Sequence, residues 1–153
     1  MAEVSRLGPQ GSIRHLTLTP AQWQEIVAHV EVEQPNEACG LLGGEGGEVR
    51  KVYPAENILH SPVAYQMDPK RQVETMLEIE AAGWELSGIY HSHPGGPPVP
   101  SPADVAQAYY PDSIYVILAP QAAAGEWRGR AFRIEAGGVQ EVEVMIVNES
   151  AGN

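Results

Sequence analysis

The chain has 153 residues, of which 43% are hydrophobic and 19% are charged, so we expect a single globular domain with its own core. The formal net charge of −11 argues against nucleic acid and anionic membranes as partners, because both bind basic surfaces. The sequence contains one cysteine, Cys39, which excludes an internal disulfide and a thiolate zinc cluster.

The two ends of the chain are predicted to be tails around a folded region. No apolar run approaches the ~20 residues of a membrane span, and residues 1–12 lack the apolar stretch of a signal peptide. We therefore expect a cytoplasmic protein without a membrane partner. Residues 1–12 are predicted to form a flexible tail, residues 13–148 the folded domain, and residues 149–153 a short C-terminal tail.

The first predicted elements are a strand and a helix. Residues 13–19 alternate between apolar and polar side chains, which is typical of a short strand. A helix is predicted from Thr19 as cap, with Pro20 at its first position, to about Glu33. Its core-facing stripe consists of Trp23, Ile26, Val27 and Val30. His29 lies off this stripe and is predicted to be a surface residue.

A hairpin is predicted next. Residues 37–44 suggest a short buried strand, and residues 48–53 suggest its partner across a glycine-rich turn. Cys39 in the first of these strands is predicted to be a small core residue rather than a reactive thiol. Residues 54–66 are predicted to be a connection, in which His60 is an ordinary loop histidine.

A second helix and a further strand follow this connection. Asp68 is a helix cap with Pro69 at the first helical position, and Gly83 ends the helix. Its predicted buried stripe consists of Val73, Met76, Leu77 and Ala81. Residues 85–90 then form a strand, so the order of elements is strand, helix, strand.

The last elements are predicted to be strands. Residues 113–118 are a continuous apolar run, typical of a central strand. Residues 126–134 and 139–147 alternate and are predicted to pair as a final hairpin.

Two histidines stand at the end of the strand that begins at residue 85. His91 and His93 flank Ser92, so in an extended strand the two imidazoles share one face and Ser92 points to the other. Prolines and glycines in residues 94–100 then stop the strand. The two imidazoles can therefore be aimed at one point.

A carboxylate follows these histidines at the start of a helix. Ser101 is placed to cap this helix, with Pro102 at its first position and Asp104 in its first turn. Together, His91, His93 and Asp104 make a three-ligand metal site with room for a water, which is a catalytic rather than a structural arrangement.

Each of these residues also has a structural interpretation. Asp104 alone is explained as a capping carboxylate and Ser101 as a helix cap, because this pattern begins helices in proteins of any function. A single strand histidine is usually structural or solvated. Two histidines on one strand face, beside a turn this rich in glycine and proline, favour the metal site.

The pattern resembles a known family. The sequence His91-Ser92-His93, followed after ten residues by Asp104 with Ser101 three before it, resembles the zinc motif of the JAMM (MPN+) metalloproteases. Glu37, within Glu-Ala-Cys-Gly-Leu-Leu-Gly, matches the upstream glutamate of that family. The resemblance runs from about the first helix to the apolar strand after Asp104.

The resemblance implies a fold, a cofactor and roles for the site residues. The fold would be a single α/β domain in which helices flank a curved mixed sheet, similar to that of cytidine deaminases. One Zn²⁺ per chain would be held by His91, His93 and Asp104. Glu37 would act as general base and then general acid, and the Ser101 hydroxyl would donate a hydrogen bond to the oxyanion. Deamination is disfavoured, because the chain lacks the Pro-Cys-x-x-Cys ligand pair of deaminases.

The resemblance also implies a substrate class. It suggests hydrolysis of the peptide or isopeptide bond after the Gly-Gly end of ubiquitin, of a ubiquitin-like protein or of a sulfur-carrier protein. Release of cysteine from a carrier adduct is an alternative within this class. The pattern is compatible with a homodimer and does not fix the oligomeric state.

Two interpretations from other classes remain at this point. Two histidines and a carboxylate also describe non-haem iron oxygenases. A module that binds ubiquitin-like tails without cutting them is the other, although such a module would be expected to have lost a ligand or the glutamate.

Overall fold

The computed structural model describes residues 15–121 and 125–147, which form seven strands and three helices. The strands are β1 (His15–Leu18), β2 (Cys39–Glu45), β3 (Glu48–Ala55), β4 (Glu85–Ser92), β5 (Ile114–Pro120), β6 (Trp127–Glu135) and β7 (Gly138–Ile146). The helices are α1 (Pro20–Glu33), α2 (Pro69–Ala81) and α3 (Pro102–Ala106). The predicted tails, residues 1–12 and 149–153, lie outside the described residues.

The strands form one curved mixed sheet. Their order is β1-β3-β2-β4-β5-β6-β7, and the sheet closes on itself because β1 also pairs with β7. The β4–β5 pair is parallel, as are both pairs made by β1, and the other pairs are antiparallel. The predicted curved mixed sheet is therefore confirmed, and β4 lies between β2 and β5.

Side chains that alternate along the strands build two separate cores. Ile89 and Tyr90, neighbours on β4, belong to different clusters of buried side chains. Ile26 of α1 packs in the cluster with Tyr90, whereas Ile79 of α2 packs in the cluster with Ile89. Because successive strand residues face opposite sides, α1 and α2 cover opposite faces of the sheet, as the predicted flanking helices require.

Helix α1 starts where it was predicted to start, but one of its residues, His29, is not in the predicted environment. Thr19 Oγ1 accepts a hydrogen bond from the Gln22 backbone N–H at 3.1 Å, and the Gln22 side chain accepts one from Thr19 N–H at 2.9 Å. The prediction that His29 is a surface residue is wrong. Its Nδ1 lies 2.7 Å from the hydroxyl of Tyr90, a fully buried side chain whose polar end needs a partner.

The predicted buried stripe of α2 is largely wrong. Val73 and Leu77 are 58% and 59% exposed, and Ala81 is exposed as well. The buried residues of this helix are Thr75 and Ile79, with Met76 packed beside them. The apolar residues of α2 fall on two faces, and the face carrying Ile79 packs on the sheet. Gly43 leaves room for it, because a Cβ at that position would lie 3.0 Å from Ile79 Cγ1.

Both predicted hairpins are present. β2 and β3 are joined at Gly46 and Gly47, whose φ angles are 56° and 89°. β6 and β7 are joined at Ala136 and Gly137, with φ angles of 54° and 83°. Within the described parts of the chain, no helix has the length and apolar character needed to cross a membrane.

Gly40 on β2 offers a test of how tightly the sheet is packed under Tyr90. A Cβ at Gly40 would overlap the Tyr90 ring, which is buried and bonded to His29. We expect Gly40→Ala to lower the free energy of unfolding by about 1–3 kcal/mol, because the ring has no space to move into. Gly95→Ala is the control, since no atom lies within 4 Å of a Cβ there. Urea denaturation of both variants measures the effect, and equal stabilities would contradict this account.

Candidate metal centre

The end of β4 brings the two histidines together. His91 pairs with Cys39 of β2 on one side and with Ile117 of β5 on the other, so its backbone is held by both neighbours. His93 follows the strand, and its backbone N–H donates to the Leu118 carbonyl at 2.8 Å. Strand alternation places both imidazoles on one face, with 3.1 Å between the two Nε2 atoms. The predicted shared face is confirmed.

Ser92 points away from these imidazoles, as predicted. Its hydroxyl oxygen accepts a hydrogen bond from the Ala38 backbone N–H at 2.8 Å, and the side chain is fully buried. Ser92 therefore joins the end of β4 to the start of β2.

Asp104 reaches the histidines from the first turn of α3. Its Oδ2 lies 3.2 Å from His91 Nε2 and 3.1 Å from His93 Nε2. The same oxygen accepts a hydrogen bond from the Ser101 backbone N–H at 2.8 Å, and Ser101 Oγ accepts one from Asp104 N–H at 3.0 Å. Asp104 thus closes a capping box and also contacts both imidazoles, so the capping and metal interpretations do not exclude each other.

The three atoms fit a divalent cation. Tetrahedral zinc with bonds of about 2.0–2.1 Å separates its ligand atoms by about 3.3 Å. The triangle formed by His91 Nε2, His93 Nε2 and Asp104 Oδ2 has sides of 3.1, 3.2 and 3.1 Å. These three side chains could therefore form one face of such a coordination sphere.

The hydrogen bond of the second nitrogen of His93 supports the same fit. His93 Nδ1 lies 2.8 Å from the Pro97 carbonyl oxygen, which can only accept, so Nδ1 carries the proton of the neutral imidazole. In the neutral imidazole Nε2 then has no proton to share with the Asp104 carboxylate. Although burial lowers the pKa of His93, the hydrogen bond with Asp104 raises it, which favours a proton at Nε2 where no cation is bound. Two lone pairs at this distance repel unless a proton or a cation lies between them, and a carbonyl that fixes the outer nitrogen is typical of histidine metal ligands.

Glu37 stands beside this triangle. One carboxylate oxygen of Glu37 and one ring nitrogen each of His91 and His93 all lie within 4.8 Å of one another. Glu37 lies two residues before β2, is 5% exposed, and its backbone N–H donates to the Ser61 carbonyl at 2.9 Å. These contacts hold a carboxylate next to the two imidazoles. Asp104 Oδ2 lies 3.2 and 3.1 Å from the same two imidazoles.

The two carboxylates of the site, those of Glu37 and Asp104, differ in the direction in which their pKa is shifted. Burial raises the pKa of Glu37 to about 7, with Asp104 adding to this effect and His93 opposing it. Burial also disfavours ionisation of Asp104, but hydrogen bonds with His91 and His93 outweigh it and hold the pKa of that carboxyl well below its usual range. Burial lowers the pKa of His91, which therefore stays neutral. An ionised Asp104 and a neutral His91 are the protonation states that a metal ligand requires.

Two residues in the region predicted to be an ordinary connection belong to the site. Tyr65 stacks on the His91 imidazole, with ring centroids 4.6 Å apart. Asn57 is 2% exposed, and its amide donates to the carbonyl of Glu37 at 3.0 Å. Neither residue has a periodic or motif signal that distinguishes it from other loop residues.

The other sequence predictions near the site are confirmed. His60 is an exposed loop histidine, with 64% of its side chain accessible. Cys39 is fully buried, and burial raises the pKa of its thiol to about 12. Because the thiolate is the nucleophilic form, Cys39 is a core residue and not a reactive group.

A cleft of about 360 Å³ opens beside the centre. Tyr65 forms one wall of it, so the cleft adjoins the ring of His91. The other lining residues come from the connection before α2, from α2, from the segment after α3 and from the sheet. None of the lining side chains is charged, although the chain has a net charge of −11.

Comparison with known proteins identifies relatives of the chain. The chain is 40% identical over 106 residues to a desampylase of Haloferax volcanii, and the alignment covers 66% of this chain and 76% of the relative. It is 32% identical over 142 residues to a CysO-cysteine peptidase of Mycobacterium tuberculosis, covering 92% of this chain and 97% of the relative. Its fold matches the solution structure of a protein from Desulfitobacterium hafniense with a TM-score of 0.77 and 38% identity, over 88% of this chain and 94% of the other.

The family itself is identified by a sequence model. The model described as prokaryotic homologues of the JAB domain matches residues 19–135, which contain β2, β4, α3 and every residue of the metal centre described above. The chain therefore belongs to the JAB (JAMM, MPN+) family, among its prokaryotic members.

Proposed function

We propose that the protein is a zinc metallopeptidase that hydrolyses the bond after the Gly-Gly end of a ubiquitin-like or sulfur-carrier protein. The observation that carries this proposal is the convergence of four side chains, His91, His93, Asp104 and Glu37, from three separate parts of the chain. The names of the two relatives, a desampylase and a CysO-cysteine peptidase, support the substrate class.

His91, His93 and Asp104 are the proposed zinc ligands, and they leave room for further ligands. When bound, zinc would act as a Lewis acid that lowers the pKa of a water from about 15.7 to about 7 and draws charge from the substrate carbonyl. His93 keeps its Nε2 available by donating from Nδ1 to Pro97. Asp104 is kept ionised by the two neighbouring imidazoles and by the hydrogen bond from the Ser101 backbone N–H, which together lower its pKa.

Glu37 is the proposed proton carrier. A carboxylate with a pKa of about 7 can both accept and release a proton near neutral pH, which is what a general base that later acts as an acid needs. Glu37 would take a proton from the attacking water and then deliver it to the leaving amine. The Glu37 carboxylate lies within 4.8 Å of the two imidazoles. This closeness supports the role, because the same carboxylate must reach both the attacking water and the leaving amine.

Ser101 is proposed to stabilise the developing oxyanion. Its oxygen accepts the hydrogen bond from Asp104 N–H, so the hydroxyl hydrogen remains available for donation. A hydrogen bond that is directed at the carbonyl oxygen strengthens as negative charge develops there. Ser101 would then serve both as helix cap and as oxyanion donor.

The uncharged cleft beside His91 supports a polypeptide tail as substrate. Tyrosine hydroxyls and glutamine amides in its lining, including those of Tyr109 and Gln72, can bond to peptide groups without attracting a charged side chain. Gln72 donates to the hydroxyl of Tyr110 at 2.9 Å, so these polar groups are already ordered. The cleft could hold an extended segment next to the scissile bond.

Cysteine release from a carrier adduct is the second candidate within this class. The similarity to the CysO-cysteine peptidase extends over 92% of this chain, compared with 66% for the desampylase. A binding module without activity is disfavoured, because all four side chains that the reaction needs are present and close together.

The first prediction concerns the proton carrier. Glu37→Gln keeps the size of the side chain but cannot accept the proton, so we expect an unchanged zinc content and a kcat at least about 100-fold lower. Glu56→Gln, at a carboxylate with 62% of its side chain exposed, is the control and should retain full activity. Normal cleavage by Glu37→Gln would show that another group carries the proton.

The second prediction concerns the metal. His93→Ala removes one of three ligands, so both bound zinc and activity should be lost. His60→Ala, which alters an exposed histidine, should change neither. Elemental analysis of the purified proteins measures the metal. Iron in the parent protein, together with oxygen-dependent turnover and no peptidase activity, would instead favour an oxygenase.

The third prediction concerns the substrate. Zinc-loaded protein is incubated with ubiquitin-like and sulfur-carrier proteins that bear C-terminal extensions, a lysine-linked partner or a terminal cysteine. Mass spectrometry should show at least one of them shortened to its Gly-Gly end. The matched control is Glu37→Gln under the same conditions. Binding without any loss of mass would identify the chain as a recognition module.

A further inference from the structure

The two proposed histidine ligands differ in how their rings are held. His93 is oriented by the bond from Nδ1 to the Pro97 carbonyl. His91 has no such bond, because its Nδ1 is buried without a hydrogen-bond partner among the described residues. A ligand imidazole is usually fixed through its second nitrogen, so another contact must set the orientation of the His91 ring.

Tyr65 provides that contact. Its ring lies 4.6 Å from the His91 ring between centroids, with an angle of 27° between the planes, which is a stacked arrangement. The side chain of His91 is 1% exposed, so the Tyr65 ring covers a face of an imidazole that water does not reach. Burial raises the pKa of the Tyr65 phenol above its usual range, so the stacked group is uncharged.

The loop that carries Tyr65 is itself fixed by Asn57. The Asn57 amide donates to the carbonyls of Glu37 and Ala64 at 3.0 and 3.1 Å. Its Oδ1 accepts from the backbone N–H groups of Leu59 and Gln66, both at 3.1 Å. The side chain therefore makes four hydrogen bonds, which is its full capacity. Because two of them involve the neighbours of Tyr65 on either side, the position of the tyrosine is determined by a buried group.

We propose that Tyr65 is a positioning residue, whose ring packs on the imidazole of His91 and holds Nε2 toward the metal. This inference rests on the proposed zinc site. Binding of a cation to Nε2 withdraws electrons from the imidazole, and an electron-poor ring stacks more favourably on the electron-rich face of a phenol. The stacking therefore stabilises the metal-bound state more than the metal-free state, and it raises the affinity for zinc.

Zinc affinity of the full chain, measured by competition with a chromophoric chelator, tests the proposal. Tyr65→Leu should bind Zn²⁺ about tenfold more weakly than the parent, in the range found for other groups that orient metal ligands. Tyr65→Phe keeps the ring and should bind within about twofold of the parent. Tyr110→Leu is the matched control, since it removes another half-buried tyrosine from the same cleft and should leave the affinity unchanged.

A spectroscopic measurement separates positioning from a general loss of stability. The visible absorption of the Co²⁺-loaded protein reports ligand geometry, and we expect it to change in Tyr65→Leu but not in Tyr65→Phe or Tyr110→Leu. If Tyr65→Leu did not fold, Tyr65→Met, which fills the loop without a ring, carries the same expectation.

The outcomes distinguish this inference from the proposed function. Parent-like affinity and spectrum in Tyr65→Leu would overturn the role of Tyr65 and leave the zinc site intact. An equal loss of Zn²⁺ affinity in Tyr65→Leu and Tyr65→Phe would also overturn it, because the aromatic ring, which Tyr65→Phe retains, would then not be the group that positions His91. Failure of the parent to bind Zn²⁺ would instead reject the metal site itself.

Discussion

A single carboxylate oxygen holds the centre of this protein together. Asp104 Oδ2 lies within 3.2 Å of three nitrogens, one from the backbone of Ser101 and one from each imidazole. The first of these contacts begins α3, and the other two join that helix to the end of β4. The local rule that starts a helix and the long-range contact that assembles the site therefore depend on the same atom. Loss of this oxygen would remove one of the two bonds of the capping box together with the contacts to both histidines.

The remaining residues of the centre are held from the opposite side by a loop. Asn57 bonds to the carbonyl of Glu37 and to the backbone on both sides of Tyr65. The proposed proton carrier and the ring that covers His91 are thus connected through one buried amide. A buried side chain with four hydrogen bonds stabilises the fold strongly only when all four are made. Substitution of Asn57 would therefore affect several groups at once.

Much of the fold and of the site follows from local rules in the sequence. The shared face of His91 and His93 follows from strand alternation, and the start of α3 follows from the Ser101 cap. Glu37 could be assigned only through the family resemblance, because a lone glutamate before a strand has no distinctive pattern. Tyr65 and Asn57 could not be assigned to the site from the sequence, for a related reason. Loop contacts depend on tertiary structure, and no periodicity marks them.

The errors in the sequence predictions also have physical causes. In α2, Val73 and Leu77 had the right spacing for a buried stripe, but the room that Gly43 leaves on the sheet selects the face of Ile79. His29 lies off the apolar stripe of α1, yet it is drawn inward by the hydroxyl of Tyr90. In both helices a partner on the sheet, which helical spacing does not reveal, decides which residues are covered.

The burial of the single cysteine has a practical consequence. Cys39 is inaccessible, and its thiol is far from forming a thiolate at neutral pH. Thiol-directed alkylating reagents should therefore leave Cys39 unmodified while the chain is folded. A cysteine introduced on the surface would then be the only site of attachment for a fluorophore or spin label, without prior removal of the natural one.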